Sequence, residues 1–112
     1  MGGFMLGRSM IYFAIVEETN HVKIGYTYND RLLKKRLSYL QTGNPHSIKL
    51  FASFPVSQEI ERWLHGRFRE FRVLGEWFHF TEPIKSWIEK CNIICQETGV
   101  TGYHLEKKLR EI

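Results

Sequence analysis

The chain has 112 residues, of which 43% are hydrophobic and 14% aromatic, so it is one domain with enough apolar material for a core without staples. Its 16 Lys and Arg against 12 Asp and Glu leave a net charge of +4, which suits a polyanionic partner without requiring one. That composition excludes a disordered chain, and no apolar run reaches the roughly 18–20 residues of a membrane span. Cys91 and Cys95, four apart in a helical pattern, lack zinc-site partners and would make a strained disulfide. They read as core filling, and the expected setting is reducing and cytoplasmic.

Residues 1–9, MGGFMLGRS, lack the apolar stretch of a secretory signal and read as a flexible leader. Ile11 to Val16 and Val22 to Thr27 are β-prone runs separated by the polar patch Glu17 to His21, the pattern of a β-hairpin. Gly25 weakens the second run unless something must approach the backbone there. Asn29 or Asp30 caps a helix in which Leu33, Leu37 and Leu40 form one buried stripe, and TGNP ends it. Arg36 lies beside that stripe; Arg31, Lys34 and Lys35 fall off it.

Ile48 to Val56 reads as the third strand. Ser57 is the expected N-cap of a helix from about Gln58 to Phe71, with Ile60, Leu64, Phe68 and Phe71 as its buried stripe. Glu61 and His65 share a neighbouring face, off the apolar stripe. EWFHF after Gly75 reads as a short strand or extended arm, its Trp77 and Phe78 taken as core. A helix with Ile84, Trp87, Ile88, Cys91 and Cys95 inward follows, and Leu105, Leu109 and Ile112 mark an amphipathic tail over 99–112. The predicted fold is α+β: a small three-stranded antiparallel sheet flanked by helices over residues 10–98, with an extra C-terminal amphipathic helix.

Tyr12, Lys23, Arg36 and Glu61 fall on two adjacent strands and two helices expected on one sheet. Phosphodiester hydrolysis needs a group to deprotonate water, a cation to offset phosphate charge and a carboxylate for a divalent metal, all of which these residues offer. Plain readings stand beside this one. Tyr12 fits a half-buried strand aromatic, Lys23 a solvated edge lysine, and Glu61 a partner for His65 or Arg62. Arg31, Lys34 and Lys35 fit the wet face of a helix, which can still track a phosphate backbone.

At these residues the sequence resembles the GIY-YIG nuclease superfamily. MIY (Met10 to Tyr12) and KIG (Lys23 to Gly25) stand where its two named motifs would, followed by Arg36 ahead of QTGNP, Glu61 with His65, and GEWF at Gly75 to Phe78. The pattern is similar to a compact, phage- or virus-associated branch with KIG in place of YIG, and it covers about Ile11 to Phe80. The resemblance implies a metal-dependent endonuclease acting on DNA, with RNA as the alternative polymer, and one divalent ion, Mg²⁺ or Mn²⁺, on Glu61. It further implies that Tyr12 helps activate the water and that Arg36 stabilises the pentavalent phosphate. His65 would orient the carboxylate or reach the phosphate. Met10 replaces the first Gly of the pattern and Lys23 replaces its second Tyr. Lys23 would act as a base if desolvated, or, as preferred here, as a fixed positive charge on the phosphate. Tyr26 is the fallback phenol, grouped with Arg31, Lys34 and Lys35 as a nucleic-acid contact. The competing hypotheses are a retired nuclease fold that binds nucleic acid or protein without cleaving, and a small interaction protein that forms a homodimer through its C-terminal helices.

Overall fold

The computed structural model describes residues 8–98 and 102–112. Two strands, β1 (Met10–Val16) and β2 (His21–Thr27), form the predicted hairpin, closed by a turn in which Asn20 takes φ +58°. After a short 3₁₀ turn comes α1 (Leu33–Gln41), then β3 (Lys49–Phe54) and α2 (Gln58–Arg67). The chain continues through β4 (Arg72–Leu74), β5 (Trp77–His79), α3 (Glu82–Thr98) and α4 (Gly102–Arg110).

The fold is α+β as predicted, but the antiparallel sheet has five strands in the order β3-β1-β2-β5-β4, not three. The added pair is a tight hairpin around Gly75, which takes φ +57°. Strand β4 is only three residues long and fully exposed, so it carries no alternation that a hydrophobic pattern could reveal. The resulting sheet is α-covered on both faces. Ile11 and Phe13 of β1, Val22 and Ile24 of β2, Phe54 of β3 and Phe78 of β5 point into the main core with Ile60 and Leu64 of α2. Phe13, Phe54 and Trp63 ring Trp87 of α3, with centroids 6.1, 6.2 and 6.3 Å away.

Several local expectations shift. Helix α2 stops at Arg67 and gives way to a 3₁₀ turn, Arg69–Phe71. Ser57 precedes α2 but makes no side-chain cap; its hydroxyl donates instead to Glu106 of α4 at 2.8 Å. The α1 stripe Leu33, Leu37 and Leu40 is half-buried rather than buried. Trp77 is half-buried and faces away from the main core, whereas Phe78 is fully inside. Residues 1–7 of the expected leader lie outside the described residues; Arg8 is tied to Asp30 by backbone pairing at 2.8 Å.

The C-terminal helix is not a free tail. Leu105 and Leu109 are buried in the domain's own core, and Trp87 Nε1 donates to the Leu109 carbonyl at 3.3 Å. Arg110 reaches Glu59 at 3.6 Å. The apolar stripe that the sequence offers as a homodimer seam is therefore covered within the chain. Among the described residues, no helix is long and apolar enough to cross a membrane. Leu109→Ala should cost about 2–5 kcal/mol of stability in a denaturant titration, the range for a large-to-small core substitution; a change of a few tenths would mean that α4 is an appendage.

Candidate active site

The face of the sheet opposite the main core carries the site. Paired residues of antiparallel strands share a face, so Tyr12 with Gly25 and Ala14 with Lys23 stand together there. Tyr12 is 2% exposed because its ring lies across the space that a side chain at position 25 would fill. A Cβ on Gly25 would lie 2.8 Å from Tyr12 Cε1 and closer still to Cζ and the hydroxyl. The glycine that looks wrong for a strand is thus the slot for the motif tyrosine.

Helix α1 brings Arg36 over this face beside Tyr12, where its positive charge favours the ionised phenol. Tyr12, Lys23, Arg36, Tyr39 and Leu40 line an open cleft of about 200 Å³. From the other side comes α2, held by Ile60 and Leu64 in the core. Strand β5 pairs with β2 only as far as Lys23, and beyond that the Ile24 carbonyl accepts a hydrogen bond from His65 Nε2 at 2.9 Å. That bond makes Nε2 the donor and leaves Nδ1 as the ring nitrogen available to a metal. At this gap Glu61 and His65 of α2 meet Glu76 of the β4–β5 turn, one potential ligand atom of each lying within 4.8 Å of the others.

Four of the predicted residues, Tyr12, Lys23, Arg36 and Glu61, therefore converge, with His65 beside them. Glu76 is the one that sequence reasoning passed over. It sits inside the GEWF motif, but a single half-buried acid in a turn gives no periodic signal. Lys23 Nζ pairs with Glu76 Oε1 at 3.0 Å, so its charge is partly offset rather than waiting free for phosphate. Tyr26 stands apart: its side chain is on the core face and its hydroxyl is 3.1 Å from Ser9 Oγ. Arg31, Lys34 and Lys35 lie on the exposed side of the α1 region, with Lys35 over the Tyr39 ring at 5.8 Å.

Glu61 is 6% exposed, correcting its placement off the buried face. Its carboxyl is pushed up to about 7, first by burial and then by the Glu76 carboxylate, which also shares a hydrogen bond with it. Burial and Glu76 likewise raise the Tyr12 phenol, while Arg36 pulls it down. Two carboxylates and an imidazole crowded at a partly desolvated point form a donor set that fits a divalent cation, whose charge would relieve their mutual repulsion.

Gly25→Ala should destabilise the protein by about 1–3 kcal/mol through overpacking, and by much less in a Tyr12→Ala background. A double-mutant cycle with no coupling would remove the ring-over-glycine contact from consideration. A second expectation concerns pH. Folding raises the Glu61 carboxyl from its ordinary 4.5 to about 7, so the native state binds the extra proton across that window. Stability conferred by the protonated form is full below pH 4.5 and falls as pH rises towards 7. In chelated buffer Glu61→Gln should escape this loss, its urea midpoint gaining on wild type across that range and holding the gain above it. Parallel pH profiles for the two proteins would contradict the assignment.

The model of the T5orf172 domain, a phage-associated and nuclease-related domain, matches residues 9–95. No curated protein and no solved structure matches the chain significantly. The match takes in the hairpin, all five strands, Arg36, Glu61, His65 and Glu76, and by it this chain belongs to the T5orf172 domain family.

Proposed function

We propose that this protein is a metal-dependent endonuclease of GIY-YIG type that hydrolyses phosphodiester bonds in DNA. The observation that carries the reading is the convergence, from four separate elements, of the Tyr12 phenol with a guanidinium and a pair of carboxylates that set its electrostatic surroundings. Glu61 and Glu76, with His65 beside them, would hold one Mg²⁺ or Mn²⁺. When bound, such a cation supplies Lewis-acid stabilisation of a phosphate oxygen and offsets the two carboxylates.

The chain's own residues divide the remaining work. Tyr12, after releasing its own proton to solvent, takes the proton of the attacking water at its phenolate oxygen, and the positive charge of Arg36 favours that phenolate against the burial that raises it. Arg36 also faces the cleft as a planar donor for the non-bridging oxygens, whose negative charge grows in the transition state. Lys23 acts chiefly by fixing Glu76, and adds positive potential to the cleft wall. Lys34 and Lys35 lie outside the cleft and would contact the backbone without reading sequence.

A second reading is a retired fold that binds nucleic acid without cutting it. It is favoured by the commitment of the Lys23 charge to Glu76 and by a Tyr12 phenol raised above its ordinary range. Incubation of supercoiled plasmid with Mg²⁺ or Mn²⁺ separates the two. Wild type should nick, Glu61→Gln should not, and Tyr12→Phe should be slower by about 10²–10⁴-fold, as for a lost general base. Mn²⁺ should also raise the melting temperature of wild type but not of Glu61→Gln. Salt-sensitive DNA binding without nicking would establish the retired module; nicking by Glu61→Gln at the wild-type rate would remove the metal assignment.

A further inference from the structure

The site face of the sheet continues past the cleft. Along β2 it presents Gly25, Lys23 and His21, and along β1 Tyr12, Ala14 and Val16. Over its far end lies a second hollow of about 170 Å³, lined by Val16, Thr19, His21, Asn44, His46 and Trp77. Trp77 stands in register with Lys23, which lines the cleft. Cross-strand partners on one face have Cβ atoms about 5 Å apart, so the cleft and the hollow share a wall. His21 lies two residues beyond Lys23, about 7 Å further along the strand.

The outer side of this hollow is the segment QTGNP with His46, and the chain builds it to hold its shape. Gln41 bonds three backbone groups at once: Nε2 donates to the carbonyls of Asn44 at 3.4 Å and His46 at 3.0 Å, and Oε1 accepts from Ile48 N at 2.8 Å. Asn44 Oδ1 accepts from His46 N at 2.9 Å, which leaves its amide NH₂ to donate elsewhere. His46 Nδ1 is 2.9 Å from a Glu18 carboxylate oxygen, so Nδ1 carries the proton and Nε2 faces other partners. The hollow therefore combines an indole, two imidazoles and a carboxamide, and no Lys or Arg lines it. Such a lining suits a flat heteroaromatic ring with mixed donors and acceptors on its edge, not a phosphate. Its volume is below the roughly 300–1,000 Å³ of pockets that enclose a drug-sized molecule, which limits it to a single ring system.

We propose that this hollow receives one unpaired nucleobase of a DNA strand, next to the phosphate held in the cleft. The ligand class rests on the nuclease reading above. A base stacked and paired in a duplex has both faces and its pairing edge occupied and cannot lie against Trp77 between the two imidazoles, so the site selects strands that already present an unpaired base. Substrate choice is then made by DNA structure at the cut, through Asn44, His46 and Trp77, rather than by a separate sequence reader.

The test is binding in chelator, where no cleavage occurs, by fluorescence anisotropy with three labelled duplexes. One is fully paired, one carries a single unpaired nucleotide, and one carries an abasic sugar at that position. Wild type should bind the unpaired nucleotide about tenfold more tightly than the abasic form, the size of one base–aromatic stack. Asn44→Ala, His46→Ala and Trp77→Leu, each first checked by thermal melting, should bring that ratio towards one. Their affinity for the fully paired duplex and its salt dependence should stay as in wild type. Equal binding of base and abasic duplexes by wild type overturns the proposal without any variant, and so does a ratio that survives all three substitutions. Preference for the base with no Glu61-dependent nicking would sustain the subsite and sink the nuclease reading. Nicking with equal affinities would do the reverse, and absence of all DNA binding would overturn both.

Discussion

The site depends on one close contact, the ring of Tyr12 laid over the bare backbone of Gly25. A strand glycine normally weakens a sheet, because it adds backbone entropy and nothing to pack. Here the missing side chain is replaced by an aromatic ring from the neighbouring strand, which recovers the burial and fixes where the phenol oxygen lies. With the ring seated there, the hydroxyl feels Arg36 from one side and Glu61 and Glu76 from the other. Any bulk at position 25 would lift the ring and separate the phenol from both. The conformation of a single residue thus ties the hairpin to two helices and a turn.

The electrostatic arrangement around that ring is frustrated by design of the fold. Burial, with Glu76 and Glu61, raises the Tyr12 phenol against Arg36, and burial with Glu76 raises the Glu61 carboxyl to about 7 against Arg62 and Lys23. A carboxyl raised to about 7 by burial leaves a site whose protonation answers to whatever charge next enters it. Residues placed only for stability would not be left in this balance, since a buried apolar group at position 61 would fill the same space without a desolvation penalty.

Much of this was legible in the sequence, and the exceptions have physical causes. The hairpin, α2 and α3 announced themselves because each buries one continuous apolar pattern. Tyr12, Lys23, Arg36, Glu61 and His65 could be singled out because motif order survives even where local propensity is weak. Strand β4 and Glu76 leave no periodic trace, the first because its three residues are all exposed, the second because it is a single residue in a turn. The buried state of Glu61 was misread because helical spacing tells which residues share a face but not how wide the covered face is. Trp77 and Phe78 read together as core, whereas strand alternation places the two on opposite faces.

Helix α4 has a consequence for how the chain reaches its native state. Its Leu105 and Leu109 complete the core around Trp87, and Glu106 accepts from both the backbone N–H and the hydroxyl of Ser57 at the start of α2. Those contacts join residues 49 positions apart, and α4 is synthesised after all five strands of the sheet. During synthesis the nascent chain must therefore carry an open apolar flank at Trp87 until α4 clears the ribosome. In that interval the hairpin that carries Tyr12 and Gly25 is already made while the globule behind it is incomplete, and the exposed flank is the natural point for chaperone capture or misassembly.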